Sequence, residues 1–183
     1  MLTRISNIKF LDPASGSGNF LIIAYKEIRR LEIKILQLLG DLQNNDSMPL
    51  SVIHLGNFNG IELDDFAHEV ARLSLWIAEH QMNKELEEAI PGTIAELLPL
   101  KDAGNIICAN SLRIDWNEVL PHSVDQEVYL MGNPPYYGAR KQTPEQKDDL
   151  SYVFKNYDVS IGNLDYISGW FLKAKEYIDN TKA

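Results

Sequence analysis

Residues Phe10 to Phe20 run Phe-Leu-Asp-Pro-Ala-Ser-Gly-Ser-Gly-Asn-Phe, and this segment constrains the fold more than any other. A short apolar strand over Asn7 to Leu11 ends at Asp12-Pro13, turns on two glycines, and enters a long helical pattern. Glycines let a backbone approach a ligand closely where a Cβ would block it. The helix that follows aims its free N–H groups back at the turn. Two glycines do not meet the three-glycine dinucleotide pattern. Taken alone, the turn is as readily a structural one as a ligand site. Asp12 at the strand end shifts the balance, because a carboxylate there can accept hydrogen bonds from an ammonium group.

The strand–turn–helix alternation then repeats. The first helix is expected from Gly18 to Leu39, with Phe20, Ile23, Ala24, Ile28, Leu31, Ile35 and Leu38 at helical spacing, and it ends at Gly40 and the polar run Asp41 to Ser47. Phe58 to Leu63 is a second strand. Asp64 caps a second helix carrying Phe66, Val70, Leu73 and Ile77 on one stripe. Lys84 to Gly104, with two prolines and two glycines, reads as a connection holding a short helix at most. Asn105 to Ala109 and Glu127 to Met131 are further strands. Gly138 to Asp149 is a loop or short helix. Asn163 to Ile178 is a last helix with Leu164, Ile167, Phe171, Ala174 and Ile178 inward. Strands alternating with helices predict an α/β fold with a parallel sheet. Such sheets bind ligands beyond the C-terminal ends of their strands.

Two more unusual sequences fall at such ends. In Gly60-Ile61-Glu62-Leu63-Asp64, an acid closing a strand can accept hydrogen bonds from two ribose hydroxyls. The alternative is a solvated loop acid or helix-start charge. In Asn133-Pro134-Pro135-Tyr136, the Asn133 side chain and the Pro134 carbonyl are two acceptors. Pro135 stiffens the backbone and donates no N–H, and Tyr136 offers a flat face to an unstacked base. An aromatic exocyclic amine is a poor nucleophile because its lone pair is delocalised into the ring, and two acceptors on its N–H groups localise that pair.

Asp12 to Phe20 resembles the cofactor motif of the amino-methyltransferases, with Ser15 where that motif usually has Cys. Asn133 to Tyr136 resembles their catalytic tetrad. Gly60 to Ala67, Ala71 to Trp76, Ala109-Asn110-Ser111-Leu112 and Leu164-Asp165-Tyr166 resemble the large single-chain adenine methyltransferases of restriction–modification systems. The resemblance covers nearly the whole chain, in the family's order. It implies a Rossmann-like class I S-adenosylmethionine-dependent methyltransferase fold, a partial parallel sheet with flanking helices. It also implies methyl transfer from S-adenosylmethionine to the N6 amino group of adenine in DNA.

In that frame Asp12 and the turn Ala14 to Gly18, with Ser15 and Gly16, hold the methionine part of the cofactor, and Pro13, Asn19 and Phe20 belong to the same cofactor-binding motif. Glu62 binds its ribose, and Leu63 packs on its adenine. Asn110, with Ser111 and Leu112, lies near the adenine amino group. Asn133, Pro134, Pro135 and Tyr136 are the catalytic residues, with Tyr136 stacking on the flipped target base. The same tetrad also suits an RNA base or a protein amide.

The resemblance further predicts a single, incomplete catalytic domain over residues 1–183. An earlier cofactor-contacting segment, later strands and the target-recognition domain that would engage double-stranded DNA are expected to be absent. The last strand would then have an unpaired edge, open to an oligomer. An inactive or partner-dependent fragment is the rival reading. The formal net charge of −9 argues that this segment does not grip DNA alone.

The remaining features are plain. With 45% hydrophobic and 23% charged residues the composition is that of an ordinary globular domain. No apolar stretch reaches the length of a membrane span. The lone Cys108 points to a reducing cytoplasm and, from its apolar strand, to burial. The four histidines have no metal-ligand spacing, so no metal is expected. Trp76 and Trp170 read as packing. Asp165 and Tyr166 read as a cap and a core aromatic, or as a border of the site. Arg140, Lys141, Lys147 and Lys155 lie among acids in a solvated stretch.

Overall fold

A computed structural model of the protein describes residues 1–43, 50–93 and 105–179. The elements are α1 (Leu2–Asn7), β1 (Lys9–Asp12), α2 (Asn19–Gln43), β2 (Phe58–Glu62), α3 (Asp65–Ala89), β3 (Asn105–Cys108), α4 (Trp116–Val119), β4 (Val128–Leu130), α5 (Pro144–Val153) and α6 (Ser168–Ile178). Single 3-10 turns cover Leu55–Asn57 and Ile161–Asn163.

The four strands form one parallel sheet in the order β3-β2-β1-β4. Parallel pairing puts the ends at Asp12, Glu62, Cys108 and Leu130 along one margin. The chain order reverses between β1 and β4, which opens a crevice at that margin.

Side chains alternate across the sheet, as strand geometry requires. Phe10, Phe58 and Ile106 face α1, α2 and α3. Phe10 and Phe58 are register partners, and their rings stack at 4.7 Å. Leu11, Ile61 and Val128 face the other way, onto Trp116, Leu150, Tyr166, Trp170 and Tyr177. The sheet is therefore covered on both faces, the arrangement parallel sheets need.

The strands match the sequence-based expectation to within a residue or two, whereas the helices depart from it. α2 runs through Gly40 to Gln43, so that glycine does not end it. Its inner face is Leu21, Tyr25, Arg29, Glu32, Ile33 and Leu36, while Phe20, Ile23, Leu31 and Leu38 are exposed. The cause is a buried polar cluster. Arg29 and Glu32 pair at 3.5 Å, Arg29 Nη2 donates to Asn83 Oδ1 at 2.9 Å, and Glu32 accepts from the Ile53 N–H at 3.2 Å. Buried charges persist when paired and hydrogen-bonded in this way, and hydropathy reads them as solvent-facing.

α3 extends to Ala89, replacing the connection expected from Lys84. It buries Ala71, Leu75, Ala78, Met82 and Leu86, whereas Phe66, Leu73 and Ile77 of the expected stripe are exposed. Small residues on the inner face let neighbouring backbone approach. A Cβ on Gly18 would lie 3.2 Å from Ala71 Cβ. α6 starts at Ser168 and buries Trp170 and Tyr177, leaving Phe171 exposed. Cys108 is exposed rather than buried. The polar residues 44–47 and the stretch 94–104 of the expected connection lie outside the described residues. Asp64 does cap α3, accepting from the Ala67 N–H at 2.7 Å. Among the described residues no helix is long and apolar enough to cross a membrane.

Candidate active site

The turn after β1 is held by backbone. The Ser15 N–H donates to the Ile61 carbonyl at 3.0 Å, and the Gly18 N–H donates to the Ser15 carbonyl at 2.8 Å. Gly16 and Gly18 have φ of +53° and +82°, the left-handed region where glycine costs nothing. Gly60 on β2 leaves room for this turn, since a Cβ there would meet Ile106 Cδ1 at 2.7 Å and Ser15 Cβ at 3.1 Å.

Glu62 reaches across from the end of β2. One oxygen accepts from the Gly16 N–H at 2.7 Å and the other from the Asp64 N–H at 2.9 Å. The second strand-end acid therefore braces the first loop as well as facing the crevice.

Asp12 is fully buried. Its Oδ1 accepts from the Ala14 N–H at 3.0 Å, while its Oδ2 has no hydrogen-bond partner. Burial pushes its pKa up to about 6, against the Ala14 hydrogen bond and with a smaller push from Glu62. A buried acceptor left unpaired is costly and calls for an explanation such as a ligand.

A cleft of about 530 Å³ opens at the crevice. Pro13, Ala14, Gly16, Glu62, Leu63, Asn110, Ser111, Asn133 and Pro135 line it. Residues far apart in the chain are thus brought to one wall system. A neighbouring cleft of about 240 Å³ is lined by Pro134 and Tyr136, with Met131, Gly132 and Phe171, and it shares Pro13 and Trp170 with the first. Successive members of the tetrad thus face alternate chambers. Tyr136 is 67% exposed. Asp12 and Ser15 lie buried beneath the turn. Leu112 is wholly buried in the core, and Asn19 and Phe20 are exposed at the start of α2, outside both linings.

Asn110 Oδ1 accepts from the Leu112 N–H at 3.0 Å, and its Nδ2 donates to Asp149 Oδ2 at 3.1 Å. Sequence reasoning missed Asp149, Glu145, Gln146 and Tyr137 as lining residues. It also missed Gly132. α5 is capped by Thr143 in a reciprocal box with Gln146, a Thr-x-x-Gln signal that was readable. Trp170 packs, as expected, and also donates from Nε1 to the Pro13 carbonyl at 3.0 Å. Asp165 lines neither cleft, but its Oδ1 accepts from the N–H of the lining residue Tyr137 at 3.0 Å.

An all-parallel α/β sheet with a glycine turn, two strand-end acids and an Asn-Pro-Pro-Tyr loop at one margin defines a Rossmann-like methyltransferase domain. The family described as "MmeI, DNA-methyltransferase domain" matches residues 1–183, and the chain belongs to that family. DNA methyltransferase A of Bacillus subtilis (strain 168) is 50% identical over 184 residues, covering 100% of this chain and 21% of that protein. The type IIL restriction–modification enzyme MmeI, solved in complex with DNA, matches with a TM-score of 0.83 at 40% identity, covering 96% of this chain and 23% of its own. The chain thus spans about a fifth of the length of these relatives.

Proposed function

We propose that this domain binds S-adenosylmethionine in the larger cleft and methylates the N6 amino group of adenine in DNA. The observation that carries this reading is the meeting of Asn133 with Gly16 and Glu62 on one cleft. A methyl-donor site and an amine-binding loop must adjoin for direct transfer.

The residues fit the cofactor. The buried Asp12 carboxylate, whose Oδ2 has no hydrogen-bond partner, suits an ammonium group. Glu62, whose oxygens each keep further acceptor capacity, suits a ribose diol. Leu63, 68% exposed at the cleft wall, suits a purine face. Bound there, S-adenosylmethionine supplies an electrophilic methyl group.

The chain's own residues do the rest. Asn133 and the Pro134 carbonyl accept from the two N–H groups of the target amine and concentrate its lone pair on nitrogen. Tyr136, exposed in the smaller chamber, stacks on a base that has left the duplex. Catalysis rests on position and on acceptors matched to developing positive charge. Double-stranded DNA is the partner proposed for the protein that carries this domain, with a recognition module supplying the phosphate contacts that this acidic segment does not favour.

The test is N6-methyladenine formation in duplex DNA with the Asn133→Ala variant of a complete enzyme that carries this domain. A fall on the order of 100-fold or more is expected, the usual effect of losing one preorganised polar group. An unchanged rate would refute the mechanism.

A further inference from the structure

Asp149, on the second turn of α5, is buried, and no motif marks it. Its Oδ2 accepts from the Tyr166 hydroxyl at 2.7 Å and from Asn110 Nδ2 at 3.1 Å. Its Oδ1 accepts from Arg113 Nε at 2.5 Å. Burial would raise this carboxyl, but the hydrogen bonds from Tyr166, Arg113 and Asn110 outweigh it and hold the pKa below the ordinary range.

Two of these partners lead to different parts of the site. Asn110 belongs to the loop after β3 that walls the larger cleft. The Tyr166 N–H donates to the Tyr137 carbonyl at 2.9 Å, directly after the tetrad. Gln142 Nε2 reaches the same carbonyl at 2.8 Å and the Leu164 carbonyl at 2.8 Å. The Tyr166 ring meets Trp170 edge-on at 5.1 Å, and Trp170 in turn holds Pro13. One ionised carboxylate therefore joins the cofactor-side loop to the segment that grips the backbone of Tyr137, directly after the tetrad.

We propose that Asp149 is a positioning residue that, through Tyr166, couples cofactor occupancy beside Asn110 to the conformation of the Asn133–Tyr137 loop. This rests on the reading that the larger cleft holds S-adenosylmethionine. A ligand that orders Asn110 then orders Tyr137. Physical continuity alone does not establish coupling, so the test reads the Asn133–Tyr137 loop directly and compares variants that cut the link.

Hydrogen–deuterium exchange is measured on the full chain with and without saturating S-adenosylhomocysteine. In the wild type, exchange slows about tenfold in peptides covering the Ala14–Gly18 turn and in those covering Asn133–Tyr137, within the usual range for coupled sites. In Tyr166→Phe, protection of the turn persists and protection of Asn133–Tyr137 is lost; Asp149→Asn loses protection of Asn133–Tyr137 as well. Tyr166→Phe keeps the ring against Trp170 and removes only the hydroxyl, so it reads the link even if Asp149→Asn fails to fold. Full protection of Asn133–Tyr137 in Tyr166→Phe, or a wild type protected at the turn alone, would overturn the coupling and leave the cofactor reading standing. A wild type protected nowhere would overturn both.

Discussion

A Cβ on Gly132 would fall 2.4 Å from Asp12 Oδ1. The residue before the Asn133–Tyr136 tetrad thus packs against the buried acid that precedes the glycine turn, and only a bare α-carbon fits between them. Gly132 also has φ of +152°, which L side chains rarely adopt. Gly132→Ala should therefore displace Asp12 or the tetrad loop. A stability loss of about 1–3 kcal/mol is expected from strain and clash together, with weaker cofactor binding. Urea unfolding and calorimetry of the variant check both effects.

Asp12 should also limit stability in a pH-dependent way. Its pKa rises from 3.8 to about 6 on folding, so between those values the folded state holds a proton that the unfolded state has lost. Stability from this group is full below about pH 4, falls as pH rises toward 6, and stays reduced above it. The shift corresponds to about 3 kcal/mol at most. Asp12→Asn, which keeps an acceptor for Ala14 and carries no charge, should be more stable than the wild type at pH 8 and not at pH 4. Urea midpoints at the two pH values measure this. The same variant should lose cofactor affinity, because in the proposed reading the Asp12 charge meets the ammonium group of the cofactor.

The margin of the sheet was legible in the sequence because strand ends carry the departures from pattern. Asp12, Glu62 and Asn133 each interrupt an apolar run, and parallel pairing alone brings those interruptions together. The helix faces were not legible. Arg29 and Glu32 are buried where hydropathy puts solvent, and Phe66 and Phe171 are exposed where it puts core. Asp149 was hidden for a related reason. Its three donors come from Asn110, Arg113 and Tyr166, and no local spacing encodes that meeting.

The buried pair of α2 gives a stability prediction independent of the site. Glu32→Ala removes the acceptor for the Ile53 N–H and leaves Arg29 charged at 2% side-chain exposure. A loss of about 3–5 kcal/mol is expected, the usual cost of breaking such a pair on one side. Denaturant unfolding reads it directly, and a loss under about 1 kcal/mol would mean that the cluster is more solvated than the structure shows.

Tyr136 separates function from stability in the opposite sense. At 67% exposure it contributes little to packing, so Tyr136→Ala should change stability by no more than about 0.5 kcal/mol. Loss of stacking on the target base should still cost about 1–3 kcal/mol in substrate binding. Tyr136→Phe, which keeps the aromatic face, should restore most of it. Thermal melts beside DNA-methylation assays on the same preparations distinguish the two effects.

The most direct test of the central claim is calorimetric titration of the chain with S-adenosylmethionine, wild type beside Asp12→Ala. The account predicts saturable one-to-one binding to the wild type and its loss in the variant, with both proteins folded. A folded wild type that does not bind, or an Asp12→Ala variant that binds as well as the wild type, would contradict it.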